Sequence, residues 1–188
     1  YIFTEGDTEE IYLQHYDNKK KGIEVIPVDP KHTDAVGIVK YAKKYIDDNE
    51  VDVELGDKCY CVFDSDPESN PNINEAFDLV NGYKHKGLEC IFSNPSFEIW
   101  FILHYRKAPY GKSAEDVKKI VKDLVKEEEP EYKETTDIFD ILLDKQDKAF
   151  KEAVMLHKTQ AEVHKSVFSH ECNPYTNMFE FITYIKEV

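Results

Sequence analysis

Two rhythms of hydrophobic and polar positions run along this chain. Short runs rich in β-branched and aromatic residues, Tyr1–Thr4, Ile23–Pro27, Lys58–Asp64 and Leu88–Phe92, read as strands. Between them the period lengthens, and Thr8 to about Lys20, Ala35 to about Asp48 and Ile73–Tyr83 read as helices. In the second of these, Ile38, Tyr41, Ala42 and Tyr45 recur at the spacing that shares one inner side. Such alternation predicts an α/β fold: a mainly parallel four-stranded sheet with right-handed crossovers and helices on both faces. Beyond Pro95 no further strand is expected. Ser96–His104, Ala114–Lys126, Ile138–Leu143, Ala149–Phe168 and Asn177–Glu187 read as helices. The predicted organisation is a core over 1–106 and a helical extension over 107–188 packed on it, with loops at 107–112 and 127–135 as flexible points.

The strand ends carry the chemistry. The apolar run through Val62-Phe63 stops in Asp64-Ser65-Asp66, and Pro67 prevents its regular continuation. Asp64 and Asp66 therefore stand at the carboxyl end of a strand, where open α/β sheets bind their ligands. Two carboxylates this close repel unless a cation neutralises them, and an oxygen-rich pair of this kind suits Mg²⁺ or Mn²⁺. The first strand likewise opens into Glu5-Gly6-Asp7-Thr8-Glu9, with Gly6 permitting a tight turn and Asp7 or Thr8 as candidate caps of the following helix. Asn94-Pro95-Ser96-Phe97-Glu98 begins where the fourth strand ends, with Ser93 or Asn94 as candidate caps. Glu98 is read either as a further metal or water ligand or as a plain complement to the helix dipole. His104 lies six residues on, roughly 120° around the helix, so core packing competes with a proton-transfer or phosphate-binding role.

Four motifs resemble the RloB-like family: Glu5-Gly6-Asp7-Thr8-Glu9, Val62-Phe63-Asp64-Ser65-Asp66, Asn94-Pro95-Ser96-Phe97-Glu98-Ile99-Trp100 and Asn173-Pro174-Tyr175-Thr176. The first two also resemble the Toprim fold of topoisomerases, primases and several nucleases. The resemblance implies a Toprim-like core in which Glu5 serves in acid–base chemistry and Asp64 and Asp66 hold Mg²⁺ or Mn²⁺; Glu5 is read either as a further ligand of that metal or, if not a ligand, as the general base or acid. Glu9, in the first turn after Glu5, would complete a second metal site. The implied activity is that of a metal-dependent endonuclease cutting phosphodiester bonds of RNA such as tRNA, or of DNA, in prokaryotic anti-phage defence. Genes of this family occur beside restriction and phage-defence loci. The competing reading is a nucleotide or second-messenger sensing module of a restriction or defence complex.

Charge weighs against a general nucleic-acid binder, since the net value is −14 over 188 residues. Substrate would then depend on a local basic surface, and Lys151, Lys158 and Lys165 repeat every seven residues in the C-terminal part, with Lys148 nearby. No apolar run approaches the ~20 residues that span a bilayer, and no signal-peptide pattern is visible. Cys59, Cys61, Cys90 and Cys172 form no zinc pattern and read as reduced, buried side chains of a cytoplasmic protein. A homo-oligomer and a nucleotide activator are both compatible with the sequence.

Overall fold

The computed structural model describes residues 1–4, 6–27, 34–67 and 70–187. Five strands, β1 (Ile2–Thr4), β2 (Val25–Pro27), β3 (Cys59–Asp64), β4 (Leu88–Asn94) and β5 (Tyr175–Thr176), follow the order β2-β1-β3-β4-β5. β1 runs parallel to both β2 and β3, with Phe3 opposite Ile26 on one side and Cys61 on the other. The fifth strand corrects the four-stranded expectation. β5 is two residues long, too short to show alternation, and it pairs antiparallel with Ser93 and Asn94. That partner also carries β4 two residues past Phe92, its expected end.

The chain forms two compact units, Tyr1–Phe63 with Pro67–Ile91 and Asp64–Asp66 with Phe92–Val188. The division between these units falls within β4.

In the first unit, α1 (Asp7–Leu13), α2 (Ala35–Asp48) and α3 (Ile73–Tyr83) accompany the strands. α2 and α3 have the predicted extents because their apolar periodicity is strong: α3 buries Ile73, Ala76, Phe77 and Val80, at i, i+3, i+4 and i+7. Tyr41 and Tyr45 of α2 pack on Phe3, with ring centroids 5.8 and 5.3 Å apart. α1 ends seven residues before the expected Lys20, and short 3₁₀ turns follow. Asn18 offers the chain a local alternative to the helix: its Oδ1 accepts from the Lys20 amide at 3.1 Å, and its backbone pairs with Ile23. The α1 cap is Gly6 rather than Asp7 or Thr8. A Cβ at Gly6 would come within 2.9 Å of Glu9 Oε2, so glycine here leaves room for that carboxylate.

The second unit holds α4 (Glu98–Tyr105), α5 (Ala114–Val125), α6 (Phe139–Leu143), α7 (Gln146–Val163) and α8 (Met178–Glu187). α4 is buried from Glu98 to His104 and packs on α5 and α7. α7 turns Ala149, Ala153, Leu156 and Gln160 inward. α5 buries Val117, Val121 and Val125 in one stripe, and Ser113 caps it by accepting from the Asp116 amide at 3.2 Å. All four cysteines are free and buried. Among the described residues no helix is long and apolar enough to cross a membrane.

Candidate functional site

The second unit contains the end of β3, and its geometry starts from Ser65. The Ser65 amide donates to the Ser93 carbonyl at 2.8 Å, which fixes the backbone between Asp64 and Asp66 against the end of β4. Ser65 itself is buried, and the two aspartates flanking it are half-buried. His170 closes over this stretch. Its Nδ1 lies 2.9 Å from the Ser65 carbonyl and 2.8 Å from Ser65 Oγ. A carbonyl can only accept, so Nδ1 carries a proton and donates it to this bond.

The segment bearing His170 is held by the two Asn-Pro motifs. Asn94 Nδ2 donates to the carbonyls of Ser169 and His170, both at 3.1 Å, and Ser93 Oγ donates to Thr176 Oγ1 at 3.1 Å. Asn177 Oδ1 accepts from the Phe92 amide at 2.7 Å. The expected caps of α4 are therefore otherwise employed: Ser93 and Asn94 tie down residues 169–177, and Phe97 stands at the helix start without a side-chain cap. Both Asn94-Pro95 and Asn173-Pro174 are cis.

Glu98 opens α4 and is 2% exposed. Burial pushes its pKa up, against the opposing pull of the Ser96 hydroxyl, its own backbone amide and the Lys118 charge. Lys118, on α5, pairs with Glu134 at 2.8 Å. Burial works to lower its pKa, but the bond to Glu134 and the charges of Glu98 and Asp64 raise it on balance. The Tyr132 phenol, also raised by burial and by Glu98 and Glu134, completes the group. Lys118 thus couples electrostatically to Asp64, Glu98 and Glu134, and Tyr132 to Glu98 and Glu134.

A family model described as RloB-like protein matches residues 1–185. The chain belongs to the RloB-like family. No curated protein and no solved structure matches it.

In this RloB-like chain the residues singled out from sequence separate into several groups. Glu5 lies outside the described residues. Glu9 is a buried residue of the first unit. Asp64, Asp66 and Glu98 belong to the second unit, where the Lys118 charge links Asp64 to Glu98. His104 stands apart from that cluster: it is 1% exposed, its Nδ1 donates to the Trp100 carbonyl at 2.8 Å, and its charged neighbour is Lys145. Lys151 and Lys158 are exposed on α7, but the helix ends at Val163, so Lys165 does not continue their stripe. Lys148 donates to the Tyr105 carbonyl at the C-terminal end of α4.

Among the described residues no three His, Cys, Asp or Glu side chains are grouped so as to hold a metal ion. Asp64 and Asp66 are hard oxygen donors of the kind Mg²⁺ takes, but the described donors do not by themselves make a complete centre.

Sequence reading missed His170, Lys118, Tyr132 and Glu134. His170 gives no local signal, because its partner is 105 residues away. Lys118 was legible in part, since Glu115, Lys118, Lys119 and Lys122 follow helical i, i+3, i+4, i+7 spacing.

Proposed function

We propose that this RloB-like protein is a Toprim-like, metal-dependent endonuclease that hydrolyses phosphodiester bonds of RNA or DNA in the cytoplasm, in prokaryotic anti-phage defence. The observation that carries the reading is the Asp64-Ser65-Asp66 strand end, pinned by Ser93 and His170, with Lys118 in Coulombic range of both Asp64 and Glu98. Such a site sets hard anionic donors beside a cation, the pairing that phosphate chemistry needs.

Within this reading Asp64 and Asp66 hold Mg²⁺ or Mn²⁺, whose charge would polarise the phosphate and lower the pKa of a bound water. Lys118 binds a non-bridging phosphate oxygen and offsets charge as it builds. Glu98, whose carboxyl holds its proton more readily than an ordinary carboxylate, protonates the leaving oxygen. The Ser65–His170 contact keeps the two aspartates from drifting. Glu5 enters on its motif alone, as the general base.

The test is incubation of the full chain with labelled tRNA, single-stranded DNA and duplex DNA, with Mg²⁺, Mn²⁺ or EDTA. Cleavage that requires metal and disappears in both Asp64→Ala and Glu5→Ala is expected. Cleavage that survives in both variants removes hydrolysis at this site from consideration, as does the absence of cleavage on every substrate with either metal.

A further inference from the structure

On the outer side of α5 lies a cavity of about 440 Å³ whose lining includes Lys118, Lys119, Lys122, Tyr132 and Lys133. Its size falls within the ~300–1,000 Å³ typical of small-ligand sites. Two of the lysines have acidic partners: Lys118 pairs with Glu134 at 2.8 Å and Lys119 with Glu115 at 2.7 Å. The ammonium groups of Lys122 and Lys133 make no ion pair among the described residues. Lys122 and Lys133 therefore give this concavity two positive charges not offset by an ion pair among the described residues, in a chain whose net charge is −14. Those two charges attract an anion to this surface.

A second observation points the same way. Tyr132 is 5% exposed, and its hydroxyl is buried with no hydrogen-bond partner among the described residues. A buried donor left so is costly, by about 1–3 kcal/mol, and a small shift of the ring that brought the hydroxyl to a ligand oxygen would recover that cost. A phosphate has both features the cavity asks for: negative charge for the lysines and several acceptor oxygens for ammonium and phenol donors. Lys118 links this cavity to Asp64 and Glu98, since it lines the one and lies in Coulombic range of the others.

We propose that this cavity is a phosphate-binding pocket that seats one nucleotide unit of a nucleic-acid strand, with Lys122 and Lys133 as its principal anion contacts. The proposal rests on the endonuclease reading for the identity of the strand as substrate. Helical spacing presents Lys118 and Lys122 together from α5, while Lys133 reaches in from the segment that carries Tyr132.

Binding of a fluorescein-labelled single-stranded RNA ten-mer to the full chain in EDTA, followed by anisotropy across a salt series, tests this without any cleavage. Lys122→Glu/Lys133→Glu should weaken binding at least tenfold and make the salt slope shallower by about one, as expected for lost phosphate contacts. Both side chains are exposed, so the fold should persist, and Tyr132→Phe, which keeps the ring, should weaken binding by a smaller factor. Lys44→Glu/Lys84→Glu makes the same charge change in the first unit and serves as control. Equal loss in the control, or undiminished binding in the pocket variant, overturns the pocket. A chain that binds adenosine monophosphate through these lysines but not the ten-mer assigns the pocket to free nucleotides and overturns the strand proposal. Lysine-dependent ten-mer binding by a protein that never cleaves overturns the endonuclease reading and leaves the pocket standing.

Discussion

Ser65 and His170, 105 residues apart in sequence, meet with 2.8 Å between Oγ and Nδ1, and the same Nδ1 donates to the Ser65 carbonyl at 2.9 Å. The backbone between the two aspartates is thereby held by a side chain from the far end of the chain. His170→Ala should cost about 0.5–1.5 kcal/mol of stability, the usual net worth of such a bond. Asn places an amide donor close to where Nδ1 stands, so His170→Asn should recover most of that loss, whereas His170→Gln should not. Chemical denaturation of the three variants measures this. Equal stability of Ala and Asn variants would remove Nδ1 donation as the function of His170.

His104 should give the protein a pH-sensitive stability. Burial lowers its pKa from 6.5 to about 4, against the opposing pull of the Trp100 and Phe101 carbonyls. A depressed folded pKa means the contribution is fully present above the unfolded value, near 6.5, and is lost as pH falls towards 4. The loss over that window is about 3 kcal/mol. His104→Phe fills the site without titrating, so the difference in unfolding free energy between parent and variant should change by that order between pH 7 and pH 4. A difference independent of pH would contradict the assignment.

Glu98 works in the opposite direction. Its folded pKa is raised, chiefly by burial, so its contribution is greatest below the unfolded value of 4.5 and declines as pH rises through the folded pKa. Glu98→Gln keeps the shape and cannot ionise. Its Tm should gain on the parent's as pH rises from 4 to 7, while cleavage at pH 7 should fall steeply. A variant that loses stability relative to the parent over that range would show that the Lys118–Glu98 attraction outweighs desolvation.

Metal binding should register as stability before any substrate is added. Mg²⁺ at about a hundred times its Kd should stabilise the parent by about 2.7 kcal/mol, by mass action. Asp64→Asn should abolish that gain. A metal-dependent rise in Tm that persists in Asp64→Asn would place the cation elsewhere.

The sequence by itself determined the elements whose cause is local. α2 and α3 have their predicted extents, and β3 stops at Asp64 before Pro67, because apolar period, strand propensity and proline geometry act within a few residues. It also placed Asp64, Asp66 and Glu98 at strand and helix ends, since those positions follow from where each element begins and stops. Features set by distant partners were not legible there. β5 is defined by its pairing with Ser93 and Asn94, Asn18 beyond the end of α1 pairs with Ile23, and His104 is held within the helical packing of the second unit. The cationic cavity arises from α5 and the segment around Tyr132 and Lys133, and His170 reaches Ser65 only because Asn94 holds residues 169 and 170. Tertiary structure decided these, because hydrogen bonds and charge pairs form between groups close in space whatever their separation along the chain.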